Sequence, residues 1–188
     1  MTHGVPVEND QIAAKGGSNA AKPIVLVGLM GAGKSSVGRR LAAELDLPFY
    51  DSDDEIEKAA DMTIPEIFAQ HGEEEFRRGE RRVLERLITQ SQRVVLATGG
   101  GAYMDPVTRD LLRQHAVTVW LKADLDVLWK RVSKKGGRPL LEKPNPKKVL
   151  ADLLQEREPI YAQADYIVET FEGPHADTVN AVRSALNI

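Results

Sequence analysis

The chain has 188 residues, of which 25 are basic and 28 acidic, and a formal net charge of -3. The length predicts one domain, and the charge argues against a protein that binds nucleic acids or acidic membranes, since both need a strong basic excess. The absence of cysteine excludes disulfides, thiolate catalysis and cysteine-ligated metals. No apolar run approaches the ~20 residues that span a bilayer.

The first 22 residues lack the apolar segment of a secretory signal. They contain acidic residues and no arginine, which argues against an organellar transit peptide. We therefore expect a disordered tail at residues 1–22, a single domain at residues 23–188 and a cytoplasmic location.

Short apolar runs alternate with helical patterns along the rest of the chain. The runs predict buried parallel strands, and their sequences are PIVLVG, PFYDSD, RVVLATGGG, AVTVWLKA and ADYIVET. Two or three helical segments are expected at about residues 53–91, and a last helix at about residues 176–186. This alternation predicts a three-layer α/β domain with a parallel sheet.

A glycine-rich segment follows the first predicted strand and opens the first predicted helix. Gly28, Gly33, Lys34 and Ser35 fit the pattern G-x-x-x-x-G-K-[ST]. In such a loop backbone N–H groups converge on phosphate oxygens at the positive end of the helix. Lys34 is expected to reach the β- and γ-phosphates of a nucleoside triphosphate, and the Ser35 hydroxyl to bind Mg²⁺. The alternative is a glycine-rich turn that only caps a helix.

Two acidic residues end the second predicted strand, at the sheet edge where an acceptor site is expected. Asp51 and Asp53 are spaced i, i+2, so one could support magnesium and the other could accept a hydrogen bond from a substrate hydroxyl. The alternative is that Asp53 or Ser52 only caps the following helix.

Two helical segments place charges on faces that are otherwise apolar. In EEEFRRGERRVLERLI, Glu80 falls inside the apolar arc and Arg77 near its edge. In KKVLADLLQEREPIY, Arg157 falls in the middle of the apolar stripe. Inward charges need partners, so these residues indicate a small acceptor with an anionic group and hydroxyls. The alternatives are an Arg77–Glu80 pair within the helix and a structural ion pair of Arg157 with an unplaced carboxylate.

Two further segments are rich in glycine. Gly99 to Gly101 end the third predicted strand, where a ligand could approach the backbone closely, although a plain turn would give the same pattern. Residues 133–146 lack a hydrophobic period and predict a long mobile loop. Within it, Arg138 indicates a lid over the γ-phosphate; the alternative is a solvated basic loop.

The histidines and tryptophans give no sign of a site. The histidines lack the spacing of metal ligands, and we expect each to be incidental; they are His3, His71, His115 and His175. Trp120 and Trp129 are typical of packing rather than of ligand platforms.

With these residues assembled, the chain resembles the shikimate kinases, within the nucleoside-monophosphate-kinase-like group of P-loop proteins. The matching segments occur in the family's order across most of residues 24–167, and they are GLMGAGKSSVGRRLA, FYDSD, IPEIFAQHGEEEFRRGE, VLATGGG, RPLL and EREPIY. The resemblance implies a five-stranded parallel sheet in the order 2-3-1-4-5. It also implies Mg-ATP-dependent phosphorylation of the 3-hydroxyl of shikimate, giving shikimate 3-phosphate and ADP, on the route to chorismate and the aromatic amino acids.

The resemblance further implies an acceptor site. Asp53 would hold shikimate hydroxyls and take the transferred proton. Arg77 and Arg157 would bind the shikimate carboxylate, and Glu80 would support that pocket. The middle glycine, Gly100, would contact the acceptor.

For the nucleotide, the resemblance implies that Lys34 and the lid residue Arg138 are catalytic and that Ser35 and Asp51 bind Mg²⁺. Arg131 would lie against adenine. The expected ATP-binding residues are Gly31, Ala32, Gly33, Lys34, Ser35, Ser36, Arg131 and Arg138. The expected partners are ATP and shikimate, bound by a monomer.

The chain departs from the family at Asp61, where glycine is common, so that turn could differ.

Two alternative functions stay open. One is a kinase of another small hydroxy acid, such as gluconate. The other is a nucleotide-binding regulatory module without catalysis, against which the acceptor-site residues Asp53, Arg77 and Arg157 argue.

Overall fold

The computed structural model describes residues 21–89, 92–134 and 144–188. Residues 1–20 of the predicted tail lie outside these ranges. Residues 135–143 of the predicted lid, with Arg138, also lie outside them, so the lid stays a prediction.

The described ranges contain one parallel sheet of five strands. The strands are β1 (Ile24–Val27), β2 (Phe49–Asp51), β3 (Val95–Ala97), β4 (Val117–Ala123) and β5 (Tyr166–Thr170). Their order is β2-β3-β1-β4-β5, which confirms the α/β fold and the strand order that the resemblance implied. Every residue of β1 and β3 is buried, because helices cover a parallel sheet on both faces.

Seven α-helices belong to the same described ranges, and none of them is long and apolar enough to cross a membrane. They are α1 (Lys34–Glu44), α2 (Ser52–Ala60), α3 (Ile64–Thr89), α4 (Pro106–His115), α5 (Leu125–Val132), α6 (Pro146–Tyr161) and α7 (His175–Leu186). Five of them begin after a strand or the loop that follows it: α1 after β1, α2 after β2, α4 after β3, α5 after β4 and α7 after β5. Because the strands are parallel, these connections meet at one edge of the sheet.

The long helix α3 bends at Gly72, where φ is 78° and ψ is 176°. Beyond the bend, the face with Phe76, Leu84 and Leu87 is buried in the core. Glu80 lies on that face and is 1% exposed, whereas four charged residues of the same helix are exposed, namely Arg78, Arg82, Glu85 and Arg86. The helical period therefore identified a buried carboxylate correctly.

Asp61 ends α2 in the left-handed conformation, with φ 51° and ψ 36°. Its backbone N–H donates to the carbonyl oxygen of Glu57. This is the helix-ending turn that glycine favours, and aspartate is among the few other residues that adopt it. The departure from the family at this position therefore leaves a glycine-type turn in place.

Gly79 lies in the middle of α3, and a Cβ atom there would meet nothing within 4 Å. We expect Gly79→Ala to raise the free energy of unfolding by about 1 kcal/mol, because alanine restricts the unfolded chain and favours helix. Urea unfolding followed by circular dichroism measures the change. Gly38→Ala in α1 is the matched control, expected to destabilise, since its Cβ would lie 2.6 Å from Phe49 Cε2. A Gly79→Ala variant less stable than the parent protein would contradict the prediction.

Candidate active site

The segment between β1 and α1 is a tight loop that ends on the helix. Gly28 has φ 138° and Gly31 has φ 84°, conformations that favour glycine. A Cβ atom on Gly28 would lie only 2.8 Å from the carbonyl oxygen of Leu121, so the loop runs directly against β4. Gly33 is the N-cap of α1, which places the positive end of that helix at the loop.

The Lys34 ammonium group is held by this loop. It donates hydrogen bonds to the carbonyl oxygens of Gly28, at 2.7 Å, and Leu29, at 3.0 Å. The charge is therefore fixed against the segment that the sequence pattern assigns to phosphate binding.

Ser35 and Asp51, the two predicted magnesium ligands, contact each other. The Ser35 hydroxyl donates to Asp51 Oδ2 at 2.6 Å. Within residues 21–89, 92–134 and 144–188, no three His, Cys, Asp or Glu side chains form a cluster able to hold a metal. A pair of hard oxygen atoms beside a phosphate loop nevertheless suits Mg²⁺, which takes few protein ligands and keeps water and substrate phosphates around it.

Asp51 also caps α2. Its Oδ1 accepts a hydrogen bond from the backbone N–H of Asp53 at 3.2 Å. The alternative that Asp53 or Ser52 forms the cap is therefore wrong. The Ser52 hydroxyl instead accepts a hydrogen bond from the Gly99 N–H at 2.9 Å, which joins the start of α2 to the end of β3.

The Asp53 carboxylate lies against the backbone of Gly99. A Cβ atom on Gly99 would be 2.6 Å from Asp53 Oδ1, so only glycine leaves room for this carboxylate. Burial raises the pKa of the Asp53 carboxyl and the negative charge of Asp51 raises it further, while the Lys34 ammonium opposes both. Asp53 is thus a partly buried carboxylate with increased basicity next to the phosphate loop.

A cavity of about 370 Å³ gathers most of the predicted nucleotide and metal residues. Those that line it are Gly31, Gly33, Lys34, Ser35, Ser36, Asp51 and Arg131, and two predicted acceptor residues, Asp53 and Gly100, line it as well. Ala32 is buried beneath the loop, at 1% exposure. Arg138 lies outside the described residues.

Arg131 links the phosphate loop to the end of β5. Its guanidinium donates to the carbonyl oxygens of Gly31, at 3.2 Å, and Phe171, at 2.7 Å. Partial burial lowers its pKa, with the Glu172 charge acting in the opposite direction. Arg131 therefore forms a wall of the cavity.

A second cavity, of about 350 Å³, holds the two inward arginines. Arg77 from α3 and Arg157 from α6 both line it. Gly101 lines this cavity and its neighbour Gly100 lines the first one, so the two cavities are adjacent at the glycine segment that follows β3.

Arg77 forms an ion pair with Glu80 in its own helix, which was the alternative to a ligand-binding role in the sequence analysis. Arg77 Nη1 donates to Glu80 Oε2 at 2.6 Å, and Nη2 lies 3.5 Å from Glu73 Oε1. Burial raises the pKa of Glu80, although the Arg77 charge acts against it. The pair does not remove Arg77 from the second cavity; it fixes the direction of the guanidinium. A Cβ atom on Gly101 would lie 2.6 Å from Arg77 Nη2.

Arg157 forms no ion pair with any carboxylate in the described ranges. The structural ion pair that the sequence analysis gave as an alternative role for Arg157 is therefore absent from these ranges. Arg157 Nη1 donates to the Gly100 carbonyl oxygen at 3.2 Å. Its Nε atom is buried without a hydrogen-bond partner in the same part of the chain. A partly buried cation of this kind favours an anionic ligand.

Two residues near these cavities were missed in the sequence. The Tyr161 hydroxyl donates to the Gly100 carbonyl oxygen at 2.5 Å, although its position predicted only apolar packing. His175, expected to be incidental, lines the nucleotide cavity, and its Cε1 lies 3.5 Å from where a Cβ on Gly33 would be. No local pattern marks either one, since Tyr161 ends α6 and His175 begins α7, and each reaches the site only through the packing of its helix in the fold.

Comparison with known proteins agrees with this geometry. The family model described as shikimate kinase matches residues 30–187. A shikimate kinase from Rhodopseudomonas palustris is 50% identical over 97% of this chain and 87% of its own length. One from Caulobacter vibrioides is 55% identical over 88% of this chain and 82% of its own.

A solved structure described as shikimate kinase from Acinetobacter baumannii in complex with shikimate has the same fold, with a TM-score of 0.83. It is 41% identical in sequence and covers 90% of this chain and 95% of its own.

Proposed function

The chain belongs to the shikimate kinase family, and from this premise we propose that it transfers the γ-phosphate of Mg-ATP to the 3-hydroxyl of shikimate. Membership makes it a kinase, a phosphotransferase with an alcohol acceptor. One observation carries the assignment to this chain's own residues. Gly100 lines the phosphate-loop cavity with Lys34 and Asp53, and the next residue, Gly101, lines a cavity with two arginines suited to a carboxylate.

Phosphoryl transfer depends on positioning and charge neutralisation more than on covalent help. Lys34 and the loop N–H groups offset charge on the phosphates. Ser35 and Asp51 would hold Mg²⁺, which neutralises phosphate charge when bound. Arg138 would add a positive charge from the lid.

Asp53 acts on the acceptor. Its carboxylate accepts a hydrogen bond from the attacking hydroxyl and takes the proton as the bond from that oxygen to the γ-phosphorus forms, while the bond from the γ-phosphorus to the β,γ-bridging oxygen breaks and ADP leaves. Burial makes it more basic than an ordinary aspartate, which suits this role. Arg77 and Arg157, which line the second cavity, hold the acceptor carboxylate, so one ring hydroxyl faces the phosphate. Arg131, which lines the first cavity, contacts the nucleotide base.

We also propose that the protein works as a monomer in the cytoplasm. One chain supplies every group named above, and the absence of cysteine suits a reducing compartment. Size-exclusion chromatography with light scattering tests the first statement.

The function is tested by measuring ADP release from Mg-ATP with shikimate, with gluconate and with no acceptor. Turnover with shikimate alone supports the proposal. Turnover with gluconate alone would keep the kinase but overturn the acceptor. ATP binding without turnover on any acceptor would favour the regulatory module.

Replacing Arg157 with alanine is expected to raise the KM for shikimate about 10- to 100-fold, the effect of losing a hydrogen-bonded charge. The KM for ATP should stay unchanged, because Arg157 lines the acceptor cavity only. Steady-state kinetics with each substrate varied in turn give both values. Arg113→Ala, at an exposed position in α4, is the control. Unaltered kinetics toward shikimate would contradict the carboxylate-binding role.

A further inference from the structure

Tyr161 is the last residue of α6 and lies one helical turn after Arg157, on the same side of the helix. Its side chain is fully buried. The ring stacks with Trp120, with centroids 5.9 Å apart, and with Tyr103, with centroids 6.4 Å apart. These two ring contacts and the burial of the side chain hold the ring in place, and with it the hydroxyl.

The Tyr161 hydroxyl and Arg157 share one acceptor. The hydroxyl donates to the Gly100 carbonyl oxygen at 2.5 Å, and Arg157 Nη1 donates to the same oxygen at 3.2 Å. A carbonyl oxygen has two lone pairs, so the two donors complete its hydrogen bonding. Burial raises the pKa of Tyr161 to about 12, which keeps the hydroxyl protonated and a donor at neutral pH.

Gly100 lies between the two cavities. A Cβ atom on Gly100 would be 3.7 Å from the backbone nitrogen of Met30 and 3.8 Å from the carbonyl oxygen of Gly28, both in the phosphate loop. The same atom would be 3.8 Å from Arg157 Nη1. The orientation of the Gly100 peptide group therefore determines the position of the Arg157 guanidinium relative to the phosphate loop.

We propose that the Tyr161 hydroxyl is a positioning group for the acceptor: it fixes the Gly100 carbonyl, which holds Arg157 Nη1 and directs the remaining guanidinium N–H groups at the acceptor carboxylate. This inference rests on the proposed function, because it needs Arg157 to bind that carboxylate. Phenylalanine would stack equally well with the two aromatic rings. The hydroxyl is therefore the part of the side chain that the packing alone does not require.

The test is Tyr161→Phe, which removes the hydroxyl and keeps the ring. We expect the KM for shikimate to rise about 3- to 10-fold, the effect of one neutral hydrogen bond. The KM for ATP should not change, because the phosphate loop keeps its own contacts. The fold is checked by thermal unfolding, and the variant is also made with Gly79→Ala to offset any loss of stability.

Two comparisons separate positioning from general loosening of the core. Tyr103→Phe removes the hydroxyl of the stacked neighbour, which bonds to Thr118, and should leave the KM for shikimate unchanged. In an Arg157→Ala background, Tyr161→Phe should have no further effect on that KM, because the group it positions is gone.

An unchanged KM for shikimate in Tyr161→Phe would overturn the inference, and so would an effect of equal size in the Arg157→Ala background. The unsubstituted protein is assayed alongside. If it does not phosphorylate shikimate at all, the proposed function fails and the inference fails with it. If it does and Tyr161→Phe behaves identically, only the inference fails.

Discussion

Lys34→Met is expected to lower kcat by about 10³-fold or more while the protein stays folded. The ammonium group is held at 2.7 and 3.0 Å from two loop carbonyl oxygens, so its charge is in place before the reaction begins. Methionine keeps an unbranched side chain that is one heavy atom shorter, but it supplies no charge to the migrating phosphoryl group. Because that charge matters most in the transition state, the loss should fall on kcat rather than on the KM for shikimate.

The measurement is kcat at saturating concentrations of both substrates, with thermal unfolding as the check on folding. Lys148→Met is the matched control, because Lys148 is exposed on α6 and pairs with Asp152. This control should have normal kinetics. A Lys34→Met variant that keeps kcat within about tenfold of the parent protein would refute the catalytic role of the ammonium group.

Asp53→Asn is expected to lower kcat by about 10²- to 10⁴-fold, the range for losing a general base. Asparagine has nearly the same shape and should fit against Gly99, but it cannot take the proton of the acceptor hydroxyl. The helix cap should survive, because Asp51 provides it. The loss should therefore reflect chemistry rather than folding.

The pH dependence follows from the raised pKa of Asp53. Protonated Asp53 cannot accept a proton, so turnover at limiting concentrations of both substrates should fall as the pH drops through a value above the usual 3.8. This fall in turnover at low pH should be absent from the residual activity of Asp53→Asn. Asp54→Asn is the control, since that neighbouring carboxylate is exposed. Full activity of Asp53→Asn would exclude the base role.

The sequence by itself determined the features that depend on contiguous residues. The phosphate loop was predictable because its glycines, lysine and serine occupy one short segment between a strand and a helix. Burial of Glu80 followed from the helical period, since one face of α3 had to turn toward the core. The strand order came from the resemblance, because periodicity alone does not say which strands are neighbours.

The tertiary structure decided which groups touch across the sheet edge. Tyr161 reaches Gly100 over 61 positions and Arg157 reaches it over 57, distances at which no local pattern reports contact. Asp51 rather than Asp53 caps α2, and the Asp53 carboxylate therefore faces Gly99. This arrangement likewise depends on the tertiary structure, because it requires that β3 ends beside β2. Local chemistry specifies each element, but the relative placement of elements follows from packing the whole sheet, and the acceptor site lies between elements.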